Sequence, residues 1–261
     1  MLGFWFKKNF CDGWDNMFHM LVPNIVVMVT CAACAFMCMG INSIDMNDGY
    51  KLVLNFIAVA FSAGLVSTFI FAEGDNLVRI ANFDSPSLKN FFKQIKGCVK
   101  DGFLFGLLLA VIYLVITITL PYYLNMWLPQ DGSQGTLLGL VFLSIIFWCT
   151  VITLLALIWF IPIRSIMHNN FKKCLKKCFI ILMDNTWFTI VVALNDILII
   201  ALSIFLVGFY PGFTGLNLAH VNALRLRLYK YDWYEVNPGM SKQERKDVPW
   251  EDLLAADKET L

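Results

Sequence analysis

Charge is what this chain has least of. Only 15% of its residues are Asp, Glu, Lys or Arg, against 59% hydrophobic residues, and its mean hydropathy is +0.67. A soluble domain of that balance would expose too much apolar surface, so its solvent is lipid. Catalytic signatures are equally sparse. There is no GxxxxGK[ST] phosphate loop, which excludes ATP hydrolysis by that machinery, and neither GxSxG nor HExxH occurs. The three histidines, His19, His168 and His220, lie in separate segments, and His19 at a membrane entrance reads as an interfacial residue. The eight cysteines do not form a ligand set either. Cys31, Cys34 and Cys38 share one face of an apolar run and act as small packing groups. Cys98, Cys174 and Cys178 sit in basic segments where a reducing cytoplasm disfavours disulfides. No catalytic residue, metal or cofactor is expected, the chain reads as a non-enzyme, and nucleic acid is not an expected partner.

What is present is a set of long charge-free runs. Residues 16–44, 52–72, 102–130 and 132–163 contain no Asp, Glu, Lys or Arg, and each exceeds the ~18 apolar residues that call for a spanning helix. A fifth run, 187–209, is long enough but carries Asp196 near its middle. The first run is too long for a signal core, and 42–45 offers no small-residue cleavage pattern, so the first span is expected to persist in the mature protein.

The runs are punctuated by a repeated phrase. Residues 90–99 read NFFKQIKGCV and residues 170–179 read NFKKCLKKCF; the Asn, the first Phe, two Lys and one Cys fall in register 80 positions apart, and FKKNFC at 6–11 has a similar flavour. Internal periodicity of this kind defines an architecture. The expected fold is all-α: a polytopic membrane helix bundle of five clear spans plus a short polar sixth, built from about three repeats of basic amphipathic helix plus helical hairpin. Spans are expected at about 20–41, 52–72, 103–121, 137–161 and 187–209, with a weak one at 212–229. Interfacial helices are expected at about 4–14, 87–100 and 168–183. Ser85 and Pro86 read as a helix start. Residues 231–261 read as a polar tail with turn breakers and a short helix near 250–256, and its aromatic stretch 229–239 as a partner-binding strand or a surface anchor.

The placement of charge orients the chain. Lys89, Lys93, Lys96 and Lys100 precede the third span, and Lys172, Lys173, Lys176 and Lys177 precede the fifth, whereas the alternate loops hold Asp45, Asp48 and Asp131 against Lys51 alone. The positive-inside rule puts the basic segments, the N-terminus and the C-terminus in the cytoplasm of a multi-pass cell-membrane protein. On an amphipathic helix each such lysine contributes roughly 1 kcal/mol near anionic lipid. The same elbow would also serve as a partner contact. Ala60 and Gly64 form a small-xxx-small pair suited to helix packing, internal or between subunits.

Asp196 is the sharpest single residue, because a carboxylate at a span's centre costs about 2.5–3.5 kcal/mol on insertion scales. Asn195 adjoins it on a different face, and candidate partners are Asn24, Asn55, His220 and Arg225. Three readings stand: structural pairing, a protonated hydrogen-bonded carboxyl, and transport chemistry.

The stretches FKKNFCDGWDNMFHMLVPNIVVMV, SPSLKNFFKQIKGCVKDGFLFG and NNFKKCLKKCFIILMDNTWFTIVVAL together resemble the YesL family of bacterial integral membrane proteins, over residues 1–228. The polar sixth segment and charged tail depart from the family's pattern. The resemblance implies association with carbohydrate uptake systems of the ATP-binding-cassette type and supplies no catalytic residues. The expected function is therefore a non-catalytic accessory or scaffold subunit whose partners are the bilayer, transporter permease subunits and their ATPase. The alternative is an autonomous carrier using Asp196 as a proton, cation or substrate site; the poverty of polar groups in the first four spans argues against it.

Overall fold

The computed structural model describes residues 2–130 and 134–239. The chain is an all-α bundle, with no strand among the described residues. Helix α1 (Leu2–Asp15) turns at Asn16 into α2 (Met17–Ser43), and α3 (Asp48–Ala81) returns beside it. Helix α4 (Leu88–Leu114) runs through a π-helical stretch, Val115–Thr119, into α5 (Leu120–Trp127). Then come α6 (Leu137–Leu157), α7 (Phe160–Met167), α8 (Phe171–Asp184), α9 (Thr186–Phe205) and α10 (Gly212–Val236). Five helices are long and apolar enough to cross a membrane: Met17–Ser43, Asp48–Ala81, Leu88–Trp127, Leu137–Met167 and Thr186–Phe205. The chain is thus a multi-pass membrane protein.

The order elbow, then hairpin, occurs three times among the described residues: α1 before α2 and α3, the start of α4 before the hairpin that the α4–α5 rod makes through α5 with α6, and α8 before α9 and α10. One elbow differs from expectation. Residues 87–100 do not form a separate interfacial helix; they are the first turns of a continuous rod, because nothing between Leu88 and Leu114 breaks the backbone ladder. The interruption comes later, where Pro121 lacks an amide and its ring crowds the carbonyl four residues back, so the helix widens into the π turn just before it.

Helices α3 and α4 pack as a close antiparallel pair. Gly64 meets Gly106 and Thr68 meets Gly102, and a Cβ at either α4 glycine would strike the α3 backbone. The small-residue face at Gly64 therefore serves packing within the chain. The sixth segment is a full helix, with 11 of its 25 residues buried. Leu218, Val221, Ala223 and Leu224 are within 1% of complete burial, and α10 touches α1, α2, α3, α7 and α9. It continues to Val236, so the start of the expected tail is helical; the helix expected near 250–256 lies outside the described residues.

Two apolar clusters hold the bundle. The larger gathers Trp5, Phe71, Phe91, Phe105, Trp159, Phe160 and Phe188 around α10. The smaller joins Met20, Leu77 and Ile80 to Leu218 and Val221. Outward-facing Phe36, Leu137, Trp148, Leu198 and Phe205 stay exposed, as lipid-facing positions require.

Candidate functional site

A helix as polar as α10 can sit inside a membrane bundle only if its polar side chains find partners. Several find one on another element, while Asn217 and Arg225 bond within α10 itself, to the Phe213 carbonyl and the Tyr229 hydroxyl. Asn222 donates to Asn9 (2.9 Å) and to Asp12 (3.0 Å) on α1. The indole of Trp5, also on α1, donates to the Ala219 carbonyl at 3.0 Å. Asn24 on α2 accepts from the Thr214 amide at 3.0 Å and donates to the Phe209 and Pro211 carbonyls, which ties down the start of α10. His220 places Nε2 2.8 and 2.9 Å from the two Asp196 carboxylate oxygens on α9.

The Asp196–His220 pair is buried, with Asp196 9% and His220 4% exposed. Of the four candidate partners only His220 reaches the carboxylate. Arg225 lies five residues further on, about 140° around the helix, and donates instead to the Tyr229 hydroxyl at 2.9 Å. Asn55 donates to Asn42, and Asn24 is spent on α10's first turn. Asn195 points elsewhere, toward a groove between α1, α9 and the 206–218 segment, and its buried amide nitrogen has no hydrogen-bond partner among the described residues.

Two polar joints escaped sequence reasoning. His19 is not an isolated interfacial residue: its Nε2 lies 2.9 Å from Glu73, which is 1% exposed. Asn76 donates to Glu73 (3.0 Å) and to the Ser87 carbonyl (3.1 Å) and accepts from the Ser87 amide. That clasp, and not a hydroxyl cap at Ser85, fixes the start of α4, whose cap position is Ser87. Interior polarity is therefore richer in α2 and α3 than the charge-free runs implied. A Glu and an Asn three residues apart, just past the expected span at 52–72, were the available signal. On α1, Lys8 pairs with Asp12 at 2.9 Å; burial pushes the Asp12 carboxyl above the usual carboxylate range, partly offset by Lys8 and Asn222.

The two basic elbows face each other across one cleft of about 800 Å³. Gln94, Cys98, Lys100 and Asp101 line it from α4; His168, Asn169 and Asn170 from the turn before α8; Lys172 and Lys173 from the first turn of α8. His168 makes that turn with a left-handed backbone, φ 48°. Arg164 on α7 donates to Asp101 at 2.9 Å and covers the Phe71 ring at 5.0 Å. Gln94 donates to Asp75 at 2.6 Å. The register-matched Cys98 and Cys178 are both buried, as is Cys174; burial pushes the Cys174 and Cys178 thiols up, so they pack as neutral groups. Lys89, Lys93, Lys96, Lys100, Lys172, Lys173 and Lys176 are exposed, and none makes an ion pair among the described residues. Lys177 is half-buried and donates to the Met167 sulfur.

At the far end of α10, Tyr231 donates to Asp184 and accepts from Asn185. Burial, then that carboxylate, pushes the Tyr231 phenol up to about 12.

Neither protein-family models, nor curated proteins, nor solved structures give a match to this chain. Its architecture and its polar joints are read from the structure alone.

Proposed function

We propose that the chain is a non-catalytic accessory or scaffold subunit of the cell membrane, docking through its basic elbows onto an ATP-binding-cassette carbohydrate importer. The observation that carries this reading is the set of exposed lysines Lys89, Lys93, Lys96 and Lys176 on α4 and α8, none of which makes an ion pair among the described residues. Helix α3, at 34 residues, is about 51 Å long, and α4 pairs with it; a bilayer core is ~30 Å thick. The α3–α4 hairpin therefore extends past the apolar layer at the end where Lys89, Lys93 and Lys96 lie. By the positive-inside rule this end is cytoplasmic, where a transporter's permease loops and ATPase are within reach. Rigid cationic arms of this kind favour an acidic partner through steering and charge matching. The importer as partner follows from the YesL resemblance.

The carrier reading is less well served. It would use Asp196, but the carboxylate is closed by His220, and neither residue lines the two-elbow cleft or the α1–α9 groove. The deciding experiment is affinity purification of the tagged protein from its own membranes, followed by mass spectrometry. Permease and ATPase subunits recovered in stoichiometric amount, and lost in Lys89→Glu/Lys93→Glu/Lys96→Glu/Lys176→Glu, support docking. Recovery of the chain alone, with flux that Asp196→Asn abolishes, would replace it with the carrier.

A further inference from the structure

The two-elbow cleft has the composition of a site for a phosphate group attached to something apolar. Its two carboxylates are already committed, Asp101 to Arg164 at 2.9 Å and Asp75 to Gln94 at 2.6 Å. Lys100, Lys172 and Lys173 enter from two different helices and have no such partner among the described residues. The Asn169 amide nitrogen is shielded from solvent and has no hydrogen-bond partner among the described residues. The Asn170 side chain makes no cap bond, so α8 adds open first-turn amides to a wall already rich in cations.

The floor is different in kind. Phe71, Leu104 and Phe171 supply it, and Phe71 is also a wall of a second cavity of about 410 Å³ set between the spans, lined by Cys31, Cys34, Cys38 and Phe105. One aromatic side chain thus borders both a cationic chamber at the basic face and an apolar one set among the spans. A free anion would use only the first; a molecule with an anionic head and a hydrocarbon chain matches the charge of one and the apolar walls that lead to the other.

We propose that the cleft binds the phosphate of an anionic phospholipid, with its head among Lys100, Lys172 and Lys173 and a chain against the Phe71 and Leu104 floor. This goes beyond the accessory role and is independent of it, because docking is assigned to Lys89, Lys93, Lys96 and Lys176, which do not line the cleft. The test is native mass spectrometry of the full-length chain in mild detergent, titrated with dioleoylphosphatidylglycerol or dioleoylphosphatidylcholine. The anionic lipid binds in a first equivalent at least about tenfold tighter than the zwitterionic one. Lys100→Gln/Lys172→Gln/Lys173→Gln weakens that equivalent by at least about tenfold. Replacing the same three by Arg retains it, and Lys89→Gln/Lys93→Gln/Lys96→Gln changes it less than about twofold. Equal losses in the two glutamine variants would mean diffuse attraction to a basic surface and overturn the site. Displacement of the lipid by millimolar inorganic phosphate would overturn the lipid assignment in favour of a soluble anion.

Discussion

The Asp196–His220 pair makes the strongest quantitative demand on the bundle. Both groups are buried, so solvent screens their interaction little, and among the described residues His220 is the one side chain hydrogen-bonded to the carboxylate. Replacing His220 by Leu leaves a buried carboxylate without its partner, which costs about 3–5 kcal/mol. Replacing Asp196 by Leu leaves a buried imidazole with an unmet polar atom, which costs about 1–3 kcal/mol. In the double variant Asp196→Leu/His220→Leu neither uncompensated group remains, and its cost should fall below that of His220→Leu alone. The resulting coupling exceeds the Asp196→Leu cost and is therefore at least about 1 kcal/mol. For a chain of this size His220→Leu should lower Tm by about 6–20 °C, at ~2–4 °C per kcal/mol. The assay is detergent unfolding of all four proteins, followed by the fluorescence of Trp5 and Trp159, which are fully buried. Arg225→Leu serves as control: it loses a contact with Tyr229 and should not couple to Asp196. Additive single costs, within about 0.5 kcal/mol, would refute the pair as a joint between α9 and α10.

Three further outcomes follow from the geometry. Asn76→Ala should cost about 3 kcal/mol, since it strips partners from both Ser87 backbone groups and from Glu73; hydrogen exchange at the Ser87 amide should accelerate while the centre of α3 stays protected. Gly106→Val places a branched side chain onto the Gly64 backbone and should cost about 3 kcal/mol, the upper end for overpacking, whereas Gly40→Ala, with open space around it, should be neutral or stabilising when unfolding midpoints are compared. Tyr231 has a folded-state pKa raised from 10 to about 12, so the folded protein holds this proton more tightly than the unfolded chain. Its contribution is complete below pH 10 and is lost as pH rises from 10 toward 12; Tyr231→Phe should flatten that part of the stability profile, and a spectrophotometric titration that finds Tyr231 ionising near 10 would contradict the contact with Asp184.

The α10 segment separates what hydropathy can reveal from what it cannot. A bilayer imposes its requirement residue by residue, through length and the absence of charge, so the five apolar spans and the elbow-then-hairpin order were legible from the sequence alone. The same local rule marked Asp196 as exceptional and α10 as too polar to face lipid. Which partner Asp196 takes depends on how two helices are rotated and set in depth against each other; that selects His220 over Arg225, although both lie on the same segment. Asn24, Asp12, Trp5 and Asn222 show the same dependence, joined across about 190 to 215 positions of sequence. The elbow at 87–100 read as a separate helix because its charge pattern changes at the membrane edge, yet the backbone ladder ignores charge and runs straight through. The sequence by itself determined the solvent, the spans and the clustering of lysines at one end of the bundle. Only the tertiary structure turned two elbows 80 residues apart into opposite walls of one cleft and committed its acids to Arg164 and Gln94, because those contacts arise from packing between helices and leave no periodic trace along the chain.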